Sequence, residues 1–378
     1  MIRSQKNIIT GLTVIALTLA IGLGIYAYQN YQVFAKQPLG PALPFSQLLL
    51  PPTWTPTVGT PSGSVTLVPT ISIPATLTPQ PICGGPYLMN IVAIGADSRS
   101  DNYQYGLGDA IRLVRVDFVT PKITILEFPR DLWVKIPHIA DNLDGLDEGK
   151  LNQAYLFGQP GDGFHYWDDP SAGPGLLSLT LNLNFGVQTD HYVAVNMRTF
   201  VNIINAVDGI DVHVKDNSMA RNTGLSIGNN HLDGAQALKV ARNREEGGFQ
   251  RANNQNIVLC ALRKKIVSPS VVTQIPELIE SFRDNILTDF TPEQLGQLAC
   301  LGTRMPLQNI IFASFPQEIF TPTRHIPDVY GNNPKGTFIW DVDFNILRDY
   351  VTRFHAGTWP EPKINIPTTE DDTEVVCE

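Results

Sequence analysis

Met89-Asn90-Ile91-Val92-Ala93-Ile94-Gly95-Ala96-Asp97-Ser98-Arg99 is an apolar run that ends in small residues and a charged loop. Such a run reads as a buried strand delivering its polar end to the rim of a sheet, where ligands usually bind. Ile111 to Phe118 and Lys122 to Phe128, joined through Val119-Thr120-Pro121-Lys122, predict a hairpin beside it. Pro129 stops the second of these strands and presents Arg130 and Asp131. Helical spacing over Leu176 to Phe185 ends at Gly186; a strand over His191 to Met197, a helix over Arg198 to Val207 and a strand over Ile210 to Val214 follow. Asp233 caps a helix through Val240, and Gly247-Gly248 precedes another from about Phe249 to Val267. Strands alternating with helices, with one hairpin, predict an α/β fold: an α-β-α sandwich around a mixed central sheet.

The first 82 of the 378 residues differ from this pattern. Ile8 to Tyr28 carries no charge and is long enough to span a bilayer as a helix, while Arg3 and Lys6 precede it and the next charge is Lys36. Residues 1–36 therefore predict a single-pass anchor in the cell membrane, N-terminus cytoplasmic and main domain extracytoplasmic; a cleaved signal peptide is the rival reading. Residues 37–82, rich in Pro and Thr, predict an extended spacer. Residues 83–267 hold the main domain. Residues 268–367, with a helix at Thr291 to Leu301, a strand at Ile310 to Phe315 and a helix near Asp343 to Phe354, complete that domain or add a small α/β lobe; 368–378 form an acidic tail.

The net charge of −9 argues against nucleic acid as a partner, which demands a basic footprint. Four cysteines in a domain expected outside the cytoplasm predict disulfides, for which we expect Cys260 with Cys300 and Cys83 with Cys377. Basic residues nonetheless cluster: Arg99, Arg112, Arg115 and Arg130 in one set, Arg242, Arg244 and Arg251 in another. Guanidinium forks suit phosphate oxygens, and Asp97, Asp109 and Asp131 among the first set suit a divalent cation, so the mixture points to phosphoryl chemistry. For any one of these arginines taken alone, a surface ion pair is the better explanation. Arg251 and Gln255, four apart, share a helical face; Arg242 and Arg244 converge only if their helix has ended by Arg242.

Taken in order, the segments Ile91 to Arg99, Phe128-Pro129-Arg130-Asp131, Lys150-Leu151-Asn152-Gln153-Ala154-Tyr155, Asp190 to Asn196, Val207 to Val212, His231 to Leu238, Ala241-Arg242-Asn243-Arg244 and Arg251 to Gln255 resemble the LytR-CpsA-Psr family, from roughly Leu88 to Val267. The resemblance implies a phosphotransferase that moves a glycopolymer from a polyprenyl-pyrophosphate carrier to peptidoglycan, releasing polyprenyl phosphate. It places Asp97, Asp109 and Arg130 around the pyrophosphate and its Mg2+, with Asp97 and Asp109 as metal ligands. Arg242, Arg244, Arg251 and Gln255 match the phosphate-gripping set, and Arg99 and Asp131 are neighbours, Asp131 as a candidate general base or as the partner that orients Arg130. Where the family commonly has Arg-Ser-Asp this chain has Leu107-Gly108-Asp109, so one arginine of the usual clamp is absent. Arg112 is three residues from Asp109 and points to the opposite side in a regular strand. A hydrolase acting on the same carrier, and a non-catalytic protein that binds carrier or wall polymer, are the alternatives. An apolar groove for the polyprenyl tail is expected between sheet and helices, with Leu176 to Phe185 as a possible wall or simply as core.

Overall fold

Period-two alternation in the central strands decides which side chains meet which layer of helices. The computed structural model describes residues 3–44, 79–98, 103–161, 163–214, 217–243, 248–268, 271, 285–325, 335–360 and 374–376. Along the chain come α1 (Arg3–Lys36), β1 (Leu88–Ala96), β2 (Gly108–Asp117), β3 (Lys122–Phe128), β4 (Trp133–Lys135), β5 (Glu148–Lys150), α2 (Leu151–Phe157) and α3 (Ala172–Phe185). Then follow β6 (His191–Asn196), α4 (Met197–Ala206), β7 (Ile210–Val214), α5 (Asn217–Thr223), β8 (Gly228–Leu232), α6 (Gly234–Arg242) and α7 (Gly248–Ile266). The chain closes with β9 (Ile286–Thr288), α8 (Pro292–Arg304), β10 (Ile310–Ser314), β11 (Thr321–His325), β12 (Thr337–Asp341), α9 (Phe344–Ala356) and β13 (Glu374–Val376).

Seven strands form one mixed sheet in the order β13-β10-β3-β2-β1-β6-β9. The predicted hairpin is present as β2 and β3, paired antiparallel with Asp117 opposite Lys122. Its turn is closed by the Asp117 carboxylate, which accepts the N–H groups of Val119 and Thr120. β1 pairs parallel with β6, and β3 parallel with β10. β9 and β10, from beyond residue 267, thus belong to the same sheet as β1.

Val92 and Ile94 of β1, Ile111 and Leu113 of β2, and Leu126 and Phe128 of β3 enter one large core with α2, α3 and α9. Phe128 packs there against Phe185 and Phe315, ring centroids 5.5 and 5.4 Å away. Truncating any of these rings to alanine costs about 3–5 kcal/mol. The opposite face meets α8 through Met89, Ile91 and Leu301, and α7 through Phe312 and Leu259. This is the expected sandwich. A satellite core joins α4, α6 and α7 to the β7–β8 hairpin.

Local signals fixed several helix ends. Asn196, Asp233, Thr291 and Asp343 each accept a backbone N–H as N-caps, and Gly186 closes α3 in the left-handed conformation at φ 73°. Leu176, Leu177, Leu181 and Phe185 of α3 are buried in the large core, so this helix is core and not a groove wall. The expected cysteine pairing is corrected: Cys83 is bonded to Cys300, because the turn at Ile82–Gly84 lies against α8. Cys260 is also disulfide-bonded; Cys377 lies outside the described residues.

Among the described residues no helix is long and apolar enough to cross a membrane, the side chains of residues 1–16 lying outside that description. Of the expected spacer, 45–78 lies outside the described residues, whereas Leu39 N–H donates to the Phe290 carbonyl at 3.0 Å. The acidic tail lies outside them too, apart from β13.

Arg115 and His355 tie α9 to the sheet: the His355 carbonyl accepts from Arg115 Nε, and His355 Nε2 accepts the Gln188 N–H at 3.1 Å. Burial, helped by nearby Arg115 and opposed by Asp190, pushes the His355 imidazole from 6.5 down to about 4. The neutral ring is thus the folded form, and its stabilisation is complete above the unfolded value of 6.5 and is lost as pH falls toward 4. In urea titrations, the stability advantage of the native protein over a His355→Gln variant should shrink steadily from pH 6.5 to pH 4. An advantage that stayed constant across that window would show that His355 is not held neutral.

Candidate active site

Charged groups from four separate elements meet at the C-terminal end of β1. Asp97 follows β1, Asp109 lies in β2, Arg130 and Asp131 follow β3, and Arg251 projects from α7. Asp109 is the centre: its Oδ1 accepts from Arg130 Nη1 at 2.6 Å and from Asn152 Nδ2 at 3.4 Å, and its Oδ2 lies 3.7 Å from Arg251 Nη1. Arg251 Nη2 also donates to the Asp109 carbonyl at 2.8 Å. Asp131 is gripped from two sides, Oδ2 by Arg130 Nε at 3.2 Å and Oδ1 by Lys150 Nζ at 2.8 Å. Burial works to lower the Arg130 pKa, but Asp109 and Asp131 outweigh it and raise the value further, so the guanidinium stays charged.

Asp97, Asp109 and Arg251 line a cavity of about 290 Å³ between the sheet and helices α4, α6 and α7. Ala93 and Gly95 of β1, beside Val193 and Val195 of β6, keep its floor low; Phe200 and Val258 wall it. Arg242 and Gln255 line it as well. An apolar chamber ending in guanidinium and carboxylate groups suits an amphiphile with an anionic head.

The placement of Asp109 corrects the parity argument made from sequence. Ala96 pairs with Gly108 whereas Gly95 pairs with Ala110, so Asp109 is the extra residue of a β-bulge. The bulge lets Asp109 and Arg112 line the same cavity. Arg112 does not replace the absent arginine of the clamp, because its guanidinium is engaged deeper, by Glu127, Gln255 and Asn256.

The remaining predicted residues divide by position. α6 ends at Arg242, with Asn243 extended (φ −63°, ψ 127°), which is the condition for Arg242 and its successor to turn toward one ligand. Arg242 is exposed at the rim. Arg244 and Arg99 lie outside the described residues. The sequence reading missed Lys150 and Asn152 as site residues although it quoted their segment. Their signal was the carboxylate-rich neighbourhood, legible only once β5 and α2 had brought Lys150 to Asp131 and Asn152 to Asp109.

Among the described residues no group of three or more His, Cys, Asp or Glu side chains forms a metal site. The donors at the mouth nevertheless fit a hard divalent ion that takes its other ligands from phosphate and water. Asp97 and Asp109 offer carboxylate oxygens, and the buried Oδ1 of Asn152, beside Asp109, has no hydrogen-bond partner.

The chain is similar to the regulatory protein MsrR of Staphylococcus aureus (strain COL), 28% identical over 215 residues, 55% of this chain and 58% of that protein. It is also similar to the polyisoprenyl-teichoic acid--peptidoglycan teichoic acid transferase TagU of Oceanobacillus iheyensis, 31% identical over 216 residues, 56% of this chain and 61% of that protein. Under two-thirds of each relative's length is therefore matched. In fold it resembles TagT bound to LIIa-WTA (TM-score 0.54, 19% identity, covering 71% of this chain and 90% of that one). It likewise resembles TagV of B. subtilis (TM-score 0.54, 23% identity, 71% and 97%). The LytR_cpsA_psr family profile matches residues 86–335, which contain every charged group described above, and the chain belongs to that family.

Proposed function

We propose that this protein is a membrane-anchored phosphotransferase that moves a glycopolymer from a polyprenyl-pyrophosphate carrier to peptidoglycan. The observation that carries this reading is the junction of an apolar cavity with Arg251, Arg242 and the carboxylates of Asp97 and Asp109, the last paired with Arg130. A polyprenyl pyrophosphate has that polarity, an apolar chain ending in phosphates. The name borne by the TagU relative, a teichoic acid transferase, supports the same chemistry.

In this reading the polyprenyl chain lies in the cavity and its pyrophosphate at the mouth. A hydroxyl of the acceptor attacks the phosphorus that carries the glycan, a new P–O bond forms, the bond to the polyprenyl phosphate breaks, and the hydroxyl proton passes to water or to the departing polyprenyl phosphate. Arg130 and Arg251, held by Asp109, meet the charge that spreads onto the phosphoryl oxygens. Asp97 and Asp109 would hold Mg2+, which neutralises charge on the leaving phosphate when bound. Asp131 orients Arg130, since each of its oxygens already accepts from a cation. Phe164, Tyr166 and Trp167, in the segment between α2 and α3, pack against the large core.

The anchor is α1. Its side chains at Leu17, Leu19, Ile21, Leu23 and Ile25 are apolar and exposed, as a helix facing lipid requires. With Arg3 and Lys6 before the apolar run, the N-terminus is cytoplasmic and the sheet domain extracytoplasmic. Cell fractionation should find the full chain in membranes and a chain lacking 1–36 released from them; retention of the shortened chain would remove α1 as the anchor.

The central test incubates the full chain in detergent with a polyprenyl-pyrophosphoryl sugar, magnesium and peptidoglycan oligomers, with products read by mass spectrometry. Sugar phosphate should appear on the oligomer, and Arg130→Ala should lower kcat by about 10²–10³. Free sugar phosphate alone would make the protein a hydrolase; bound but unchanged lipid would make it a carrier-binding protein.

Asp131→Asn should lower kcat by no more than about tenfold and keep the pH profile, as an orienting residue would. A loss of about 10² or more together with the acid limb of the profile would make Asp131 the general base.

A further inference from the structure

The cavity has a charge at its floor that the reaction outlined above does not use. Arg112 is buried on β2, and its Nη2 donates to Glu127 Oε2 at 2.7 Å and to Gln255 Oε1 at 3.0 Å. Its Nη1 donates to Asn256 Oδ1 at 2.7 Å. Glu127 is its cross-strand partner on β3, so the pair is built into the sheet register and carries no net charge. This guanidinium is buried more deeply than that of Arg130, with 6% against 21% of the side chain exposed, and both its Nη atoms are engaged. Its action falls on the side chain it holds.

That side chain is Gln255, which stands one turn beyond Arg251 on α7 and lines the cavity. A carboxamide presents either an acceptor oxygen or donor N–H groups, and its partners decide which end faces which way. Here Oε1 is turned to Arg112, and Nε2 lies 3.4 Å from the Ala241 carbonyl at the end of α6, next to Arg242. The nitrogen end of the amide is therefore turned toward the end of α6, the side on which Arg242 stands. Reversed, it would set a carbonyl oxygen against an anion.

We propose that Arg112 is a positioning residue that locks the Gln255 amide with its N–H toward the anionic head of the ligand. This rests on reading the cavity mouth as a pyrophosphate site. It also gives a physical sense to the Arg112–Glu127 pair: the carboxylate cancels the charge of the guanidinium and leaves its directional hydrogen bond.

The test measures binding of geranyl pyrophosphate, with magnesium chloride present, to the full chain in detergent by titration calorimetry. Arg112→Met leaves the partly buried Glu127 without its arginine, so Arg112→Met with Glu127→Leu is made beside it, removing both charges together. We expect Gln255→Ala to weaken binding about tenfold, and the Arg112 variants to weaken it by a similar factor with the thermal midpoint of the double variant close to that of the native protein. Adding Gln255→Ala to Arg112→Met with Glu127→Leu should cost nothing further, and Arg112→Lys should recover much of the affinity by donating to Oε1. Multiplying losses, near a hundredfold when all three are combined, would overturn the proposal, as would unchanged affinity on removing Arg112. If the native protein binds no geranyl pyrophosphate, the pyrophosphate reading itself falls and takes this inference with it; native binding with multiplying losses removes the inference alone.

Discussion

The grip of Asp109 on Arg130 and Arg251 is the interaction on which the site depends. Each arginine is removed in part from water, where an unpaired charge is costly. Asp109 meets both, its carboxylate accepting from Arg130 and its backbone carbonyl from Arg251, and still faces the cavity. Asp109 can take that place only because the bulge at the start of β2 breaks the alternation that governs the rest of the strand. Without it, parity would send the carboxylate toward the large core beside Ile111 and Leu113. The site and its irregularity are one device.

The same alternation makes the cavity. On one face of β1 and β2, Val92, Ile94, Ile111 and Leu113 fill the large core to a close-packed interior. On the other, Ala93 and Gly95 are too small to reach α4 and α7, and the space they leave is the chamber. Glycine at position 95 has a steric reason too: a Cβ there would sit 3.0 Å from the Ala110 Cβ of the neighbouring strand. Packing thus yields a filled side that carries stability and an unfilled side that holds the cavity.

Much of this was legible from the chain. The hairpin, the caps at Asp233 and Thr291, the Gly186 stop and the end of α6 at Arg242 are local events, set by turn chemistry and periodicity within a few residues. The association of Asp97, Asp109, Arg130, Arg251 and Gln255 was reached through an ordered set of motifs. Lys150 and Asn152 were not singled out, because their role depends on where β5 and α2 start relative to β3. The cysteine pairing was misread for the same reason. Cys83 and Cys300 are 217 residues apart, and only the packing of the Ile82–Gly84 turn on α8 brings them together.

The sequence by itself determined the α/β class, the central hairpin and several helix ends, because these follow from short-range backbone preference and side-chain chemistry. Tertiary structure alone decided which face of the sheet is hollow, that α3 is core, that Cys83 meets Cys300 and that Arg112 meets Gln255. Each of those depends on a distance between segments remote in the chain. The bulge marks the boundary between the two kinds of knowledge: one inserted residue, invisible to a period-two reading, moves Asp109 from the core side to the cavity.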